Sequence, residues 1–242
     1  MDRRTFLGLG LSGLALAGGP APAALARDRQ PAAEPAVRWA MAVDLRRCLQ
    51  ADGCRDCLTA CHASHNVPDI GRQAHEVKWI WREAFTGVFP EHGRYAPDGV
   101  RGASVPIFCN HCASAPCVRV CPTQATWTRA DGIVMMDWHR CIGCRYCMAA
   151  CPYGSRSFNW LDPRPHLRAP RPDFPTRTVG VVEKCTFCEE RLARGEPPAC
   201  VAACRQRAMI FGNLRHPASE IREVLRARAS LRRRPELGTE PA

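Results

Sequence analysis

Sixteen cysteines stand in a chain of 242 residues, and they fall into four sets of four with none left over. The first set is Cys48, Cys54, Cys57 and Cys61; the second is Cys109, Cys112, Cys117 and Cys121. The third is Cys141, Cys144, Cys147 and Cys151, and the last is Cys185, Cys188, Cys200 and Cys204. So many cysteines in one domain imply that they are bonded to something. The options are disulfides, zinc, haem attachment or iron–sulfur clusters.

The third set reads Cys141-Ile-Gly-Cys144-Arg-Tyr-Cys147-Met-Ala-Ala-Cys151-Pro152. This is the C-x₂-C-x₂-C-x₃-C-P run of bacterial ferredoxins. Three thiolates within seven residues let one loop wrap three corners of a cubane. The fourth cysteine starts a helical turn that points away, toward a neighbouring cluster. Proline after it fixes φ and has no N–H to place, and Gly143 lets the backbone approach the sulfurs. The second set repeats this logic with a wider gap and ends in Cys121-Pro122; the first and last sets carry insertions and keep the terminal C-x₃-C. Exchange of the fourth ligand, as in two-cluster ferredoxins, predicts four sites. Cys48, Cys54, Cys57 and Cys204 form the first; Cys185, Cys188, Cys200 and Cys61 the second. Cys109, Cys112, Cys117 and Cys151 form the third; Cys141, Cys144, Cys147 and Cys121 the fourth.

Zinc needs no third cysteine two residues on and no Cys-Pro. Disulfides between cysteines so close in sequence are strained and close no useful loop. Haem attachment needs C-x-x-C-H, which is absent. A Rieske centre needs histidine ligands where four cysteines already stand. His62, His111 and His139 lie beside cysteines and read as pocket or surface residues, not ligands. The expected cofactors are therefore four [4Fe–4S] clusters, favoured over [3Fe–4S] because each site has four cysteines.

A formal charge of +11 resembles a nucleic-acid signal. Each oxidised cluster with four thiolates carries roughly −2, so the basic excess offsets cluster charge and no nucleic-acid partner is expected. The chain opens Asp2-Arg3-Arg4-Thr5-Phe6-Leu7 before a Gly/Ala-rich apolar run, which reads as a twin-arginine export signal over 1–26. Ala24-Leu25-Ala26 is a plausible cleavage site. Such signals are typical of proteins exported already folded, so clusters are inserted before the chain meets an oxidising space. No later stretch approaches 18 apolar residues.

Residues 27–37 read as a linker and 38–228 as the cluster domain. The fold class is α+β and loop-rich: two ferredoxin-like modules, each binding two [4Fe–4S] clusters. The inner module is 105–160; the outer is assembled from 38–65 and 179–228. Short strands are predicted at Trp39–Val43, Val179–Val182 and Ala208–Phe211, and a hairpin at Trp127–Met136 around Asp131-Gly132. A helix is expected over Pro217–Ala227 with Ile221, Val224 and Leu225 on one face, and helical turns after the cysteine loops. Residues 66–104 contain Trp79-Ile80-Trp81 and Phe85 in a helix-like stretch. That segment and the Pro/Arg-rich 161–178 read equally as docking surfaces or as solvated loops covering a cluster. The tail 229–242 reads as extended and available to a partner.

The cysteine layout resembles the four-cluster iron–sulfur subunits of molybdenum reductases and quinone-linked membrane complexes. Cys61-His-Ala-Ser-His-Asn-Val-Pro68, Lys78-Trp-Ile-Trp81, Gly132-Ile-Val-Met-Met-Asp137, Cys151-Pro-Tyr-Gly-Ser-Arg-Ser-Phe-Asn159 and Val182-Glu-Lys-Cys-Thr-Phe-Cys188 narrow this. Together they resemble the DsrO-type periplasmic subunits of the Dsr membrane complexes of dissimilatory sulfur metabolism. The resemblance implies a periplasmic protein attached to the inner membrane through its partners. Those partners are an integral-membrane quinone-interacting subunit, a multihaem cytochrome c and other redox subunits. It also implies swapped fourth ligands and a few further, partly aromatic residues beyond Pro241-Ala242. No nucleophile–base pair, phosphate loop or substrate pocket signature is present, so electron relay without catalysis or a small-molecule substrate is expected. The rival readings are the relay subunit of a periplasmic molybdopterin reductase and, from another class, a zinc- or disulfide-stabilised binding protein.

Overall fold

The computed structural model describes residues 36–51 and 53–242; the predicted leader and most of the linker lie outside the described residues. The described residues from 36 to 242 form one compact unit. Within it, regular structure comes in small pieces. Four two-stranded antiparallel sheets are joined by helices of mostly a single turn. Proline and glycine enforce this brevity. Pro90 and Pro116 open one-turn helices at their first position, and Pro97 and Pro198 sit just before two others. Helices so short are unstable alone and are held by tertiary packing.

Trp39–Val43 pairs with Met209–Asn213, in register Trp39↔Asn213 to Val43↔Met209. This sheet ties the beginning of the folded chain to its last third. Thr126–Thr128 pairs with Val134–Met136, the predicted hairpin. Its turn has Gly132 at φ +85°, and the guanidinium of Arg38 fills the space a Cβ would need there. Arg38 donates to the Gly132 carbonyl at 2.9 Å.

Three expectations are corrected. The segment after Trp79 is a strand, Ile80–Ala84, before a helical turn at Phe85–Val88. Its partner, Ser104–Phe108, lies at the far end of the insertion, so a long-range pairing overrides the local helix signal. Val179 lies outside the strand, which is only Val182–Glu183, because Gly180 at φ +89° turns the chain first. The predicted late helix runs Glu220–Ala227, with Ser219 at its N-cap. Ile221 is buried on it and Leu225 is exposed, so its apolar face is narrower than expected.

Two of the cores hold cysteines. One gathers Cys57, Cys61 and Cys200 with Val77, Trp79 and Ile80. Another gathers Cys112, Cys117 and Cys147 with Val134, Tyr153 and Val182. A third, without cysteine, packs Phe85, Phe89 and Val105 of the long insertion upon each other.

The 161–178 segment turns inward. Asn66 accepts from the Arg171 amide at 2.7 Å and donates to the Phe174 carbonyl at 2.6 Å. Arg177 is wholly buried, ion-paired with Glu183 at 2.7 Å and stacked over Trp79, Trp138 and Phe174. The tail also returns to the body. Ala113 and Ser114 donate to the carbonyls of Glu240 and Thr239 at 3.0 and 3.1 Å, and Ala242 donates to Asn110. A tail engaged this way lies across its own fold.

Candidate iron–sulfur site

All sixteen cysteines are free thiols, and tertiary structure brings distant sets together. The helix Asp56–Ser64 places Cys57 and Cys61 one turn apart, where it packs on Ala199–Ala202, which carries Cys200. Burial pushes Cys57 up to about 11, helped by the nearby Cys48, Cys204 and Cys54. Cys48 is raised by burial and by Cys204 and Cys54, against the opposing Arg82. Cys61 is buried and faces Cys185, Cys200 and Cys188. Cys112, pushed up to about 12 by burial, faces Cys109, Cys117 and Cys151. Cys147, raised by burial, faces Cys117 and Cys141, with Cys121 packed against the same core. Cys144 is exposed, and Cys121 is lowered: burial raises it, but Thr123 and the amides of Thr126 and Ala125 outweigh that.

The groups also form a sequence in space. Cys200 feels Cys57, Cys185 feels Cys109, and Cys147 feels Cys117. Thiols buried and crowded in this manner resist ionisation first through burial and then through mutual repulsion, and would ionise together only around a positively charged core.

The surroundings fit inorganic clusters. Backbone amides already point at sulfur: Phe187 to Cys185 at 3.4 Å, Ala199 to Cys188 at 3.3 Å and Ala208 to Cys204 at 3.2 Å. Three cysteine loops carry left-handed non-glycine residues, His111, Arg145 and Phe187, which costs about 1–3 kcal/mol each. Several buried donors near cysteines have no protein acceptor: His111 Nε2, Thr186 Oγ1, Trp138 Nε1 and Arg156 Nε. The Val134 amide donates to His111 Nδ1 at 3.0 Å, which leaves the proton on Nε2. Such donors suit the sulfides of an iron–sulfur core, whose hydrogen bonds set its potential.

Of the histidines beside cysteines, His111 is fully buried, and burial holds its pKa well below the usual value. His62 donates Nε2–H to the Ile80 carbonyl at 3.1 Å, and His139 is exposed. Gly143, expected to admit sulfur, has another neighbour: a Cβ there would strike the carbonyl of Gly180.

Sequence reasoning passes over four side chains. Arg156 is buried, and its Nη2 donates to Cys117 Sγ at 3.0 Å and to Thr126 Oγ1 at 2.7 Å. Lys184 is fully buried, donating to the carbonyls of Val134 and of Cys185, the latter at 2.6 Å. His65 stacks on Trp79 and lies 3.0 Å from Glu190. Thr239 hydrogen-bonds Cys112 and the Tyr153 hydroxyl. Arg156 and Lys184 carry one visible signal, a cation within a few residues of a cysteine, Cys151 and Cys185 respectively.

A loop-rich α+β fold that packs most of its sixteen free thiols in or against its cores defines a cluster-carrying electron-transfer protein. A 4Fe-4S dicluster domain matches residues 100–164 and 172–214. The chain is 42% identical over 227 residues to the Hdr-like menaquinol oxidoreductase iron-sulfur subunit 1 of Archaeoglobus fulgidus, covering 84% of this chain and 81% of that protein. It is 39% identical to a putative dimethyl sulfoxide reductase iron-sulfur subunit of Halobacterium salinarum, covering 85% and 78%. It is 35% identical to the menaquinone reductase iron-sulfur cluster-binding subunit of Nitratidesulfovibrio vulgaris, covering 85% and 87%. The chain belongs to the 4Fe-4S dicluster iron–sulfur subunits of quinone- and molybdopterin-linked oxidoreductase complexes. It is accordingly an electron-transfer subunit and not the catalyst, and its cysteines are those of four [4Fe–4S] clusters. Among the described residues, no helix is long and apolar enough to cross a membrane.

Proposed function

We propose that the chain relays electrons along a line of four [4Fe–4S] clusters, between a membrane quinone-interacting subunit and other redox subunits of a Dsr-type sulfur-metabolism complex. The ligand sets are those given by the exchanged fourth cysteine: 48/54/57/204, 185/188/200/61, 109/112/117/151 and 141/144/147/121. The observation that carries the reading is the chain of electrostatic neighbours, Cys57–Cys200, Cys185–Cys109 and Cys117–Cys147. Each link joins one set to the next. The clusters supply one-electron chemistry at potentials set by burial and hydrogen bonding. The protein holds them apart from water, neutralises their charge and fixes their spacing.

The outer module is built from 38–65 and 179–228 and the inner from 105–160, a division that the pairing of Trp39–Val43 with Met209–Asn213 supports. The twin-arginine leader supports a position on the periplasmic face of the inner membrane, where a quinone-interacting subunit and a multihaem cytochrome c hold the protein. Names of relatives favour one second reading. An arsenate respiratory reductase iron-sulfur subunit and a tetrathionate reductase subunit are 34% and 36% identical, which fits the relay subunit of a molybdopterin reductase.

Anaerobic purification from membranes with identification of the co-purifying chains tests both. A membrane quinone-interacting subunit and a multihaem cytochrome support the Dsr-type complex; a large molybdopterin subunit replaces it with the second reading. Far fewer than about sixteen irons per chain, or zinc in their place, would defeat either.

A further inference from the structure

The four cysteine sets do not see equal charge. The third, Cys109, Cys112, Cys117 and Cys151, is ringed by cations. Arg156 donates to Cys117 and is acted on by Cys117, Cys147 and Cys109. Lys184 is acted on by Cys109 and Cys117, Arg38 by Cys112 and Arg233 by Cys151. The second set sees both signs: Lys184 and Glu190 act on Cys185, and Arg191 and Glu190 on Cys188. Arg82 opposes the raised pKa of Cys48 in the first set.

Arg156 is the most committed of these cations. It is 4% exposed and cannot lose its proton in a protein. Thr126 Oγ1, held in turn by the Met135 carbonyl at 2.5 Å, fixes the guanidinium. Its Nε is buried without a protein acceptor. Cys147 belongs to the fourth set, so the charge stands at the junction of two sets.

We propose that Arg156 is a tuning residue: a permanent positive charge at the junction of the third and fourth sets that makes the third cluster the most readily reduced of the four. This rests on the four-cluster reading above. Reduction adds one electron, delivered from an adjacent set, and leaves the third set one charge more negative. A buried guanidinium in contact with one of its sulfurs favours that added charge, at close range and in low dielectric. The third position becomes the place where an electron waits during relay.

The test uses the full-length chain with its clusters, assayed first for iron and then titrated potentiometrically under electron paramagnetic resonance. The variants are Arg156→Gln, Arg156→Lys and Thr126→Val. Arg156→Gln should weaken electron affinity of the highest-potential signal at least tenfold, which is 59 mV for one electron. The two lowest-potential signals should change less than threefold. Arg156→Lys should recover most of the loss, and Thr126→Val, which frees the guanidinium from one partner, should give a smaller shift of the same sign. Unmoved potentials, a uniform shift of all four signals, or a shift confined to a signal other than the highest would overturn the proposal. So would loss of iron in both Arg156 variants, which would make the residue a structural fastener. Native protein with far fewer than about sixteen irons defeats the four-cluster reading itself; full iron with unmoved potentials defeats only the tuning role.

Discussion

The guanidinium of Arg177 closes on the carboxylate of Glu183 at 2.7 Å with both side chains wholly removed from solvent. The same carboxylate accepts from Trp79 Nε1 at 2.7 Å and from Asn159 Nδ2 at 2.6 Å. Arg177 also donates to the Pro175 carbonyl at 2.7 Å and to the His65 carbonyl at 2.5 Å. One buried pair thus joins the 161–178 segment, the Trp79 insertion and the strand leading to Cys185.

Breaking that pair from one side leaves a buried charge without its counterpart. Arg177→Met is therefore expected to destabilise the cluster-loaded chain by about 3–5 kcal/mol. Anaerobic denaturant unfolding measures this; a change under about 1 kcal/mol would mean that Glu183 is satisfied without Arg177.

Gly143 sits at φ +70° with its absent side chain facing the Gly180 carbonyl. Gly143→Ala combines a left-handed alanine, about 1 kcal/mol or more, with a backbone clash that must push the 141–147 loop outward. The expected result is a protein with about four fewer irons than native and near-native content elsewhere. Iron and sulfide assays on the purified variant check it.

Asp44 caps the Leu45–Cys48 helix, accepting from the Arg47 amide at 3.3 Å and pairing with Arg228. Burial alone would raise its pKa; the amide and the Arg228 guanidinium more than reverse this and hold it below the usual carboxylate range. A lowered pKa gives stability that is present above the unfolded value, about 3.9, and lost as pH falls through the folded one. Asp44→Ala is expected to cost about 1 kcal/mol at pH 7. The gap between variant and native unfolding should close as pH drops below about 4; a gap unchanged by pH would remove the carboxylate from the explanation.

Thr239 anchors the tail to Cys112 and Tyr153. Thr239→Val should cost about 1 kcal/mol. Removing 229–242 should do more, because Arg233 and the amide contacts at Asn110, Ala113 and Ser114 go with it. Faster bleaching of cluster absorbance in air is the expected readout, and unchanged bleaching after truncation would show that the tail shields nothing.

What is legible in the sequence is what depends on neighbours along the chain. The cysteine loops, the Asp131-Gly132 turn and the Trp39–Val43 strand all follow from spacing or local pattern, and the structure holds each of them. What escapes depends on contacts between remote segments. Arg156 meets Cys117 across 39 positions and Arg177 meets His65 across 112; no local pattern announces either. The Ile80–Ala84 strand escapes for the same reason, since its partner begins at Ser104. The tail reads as unattached because its bonds, from backbone and from the side chains of Arg233 and Thr239, reach partners about 80 or more positions away.

The pairing of Trp39–Val43 with Met209–Asn213 has a temporal meaning. A ribosome delivers the chain from one end, so the earlier strand must wait for residue 213 to emerge before it has a mate. Until then, Cys48, Cys54, Cys57 and Cys61 are without the 199–204 segment that packs beside them. Under the ligand sets proposed above, the first two sites are completed only once Cys200 and Cys204 have been made, whereas the other two need no cysteine beyond Cys151.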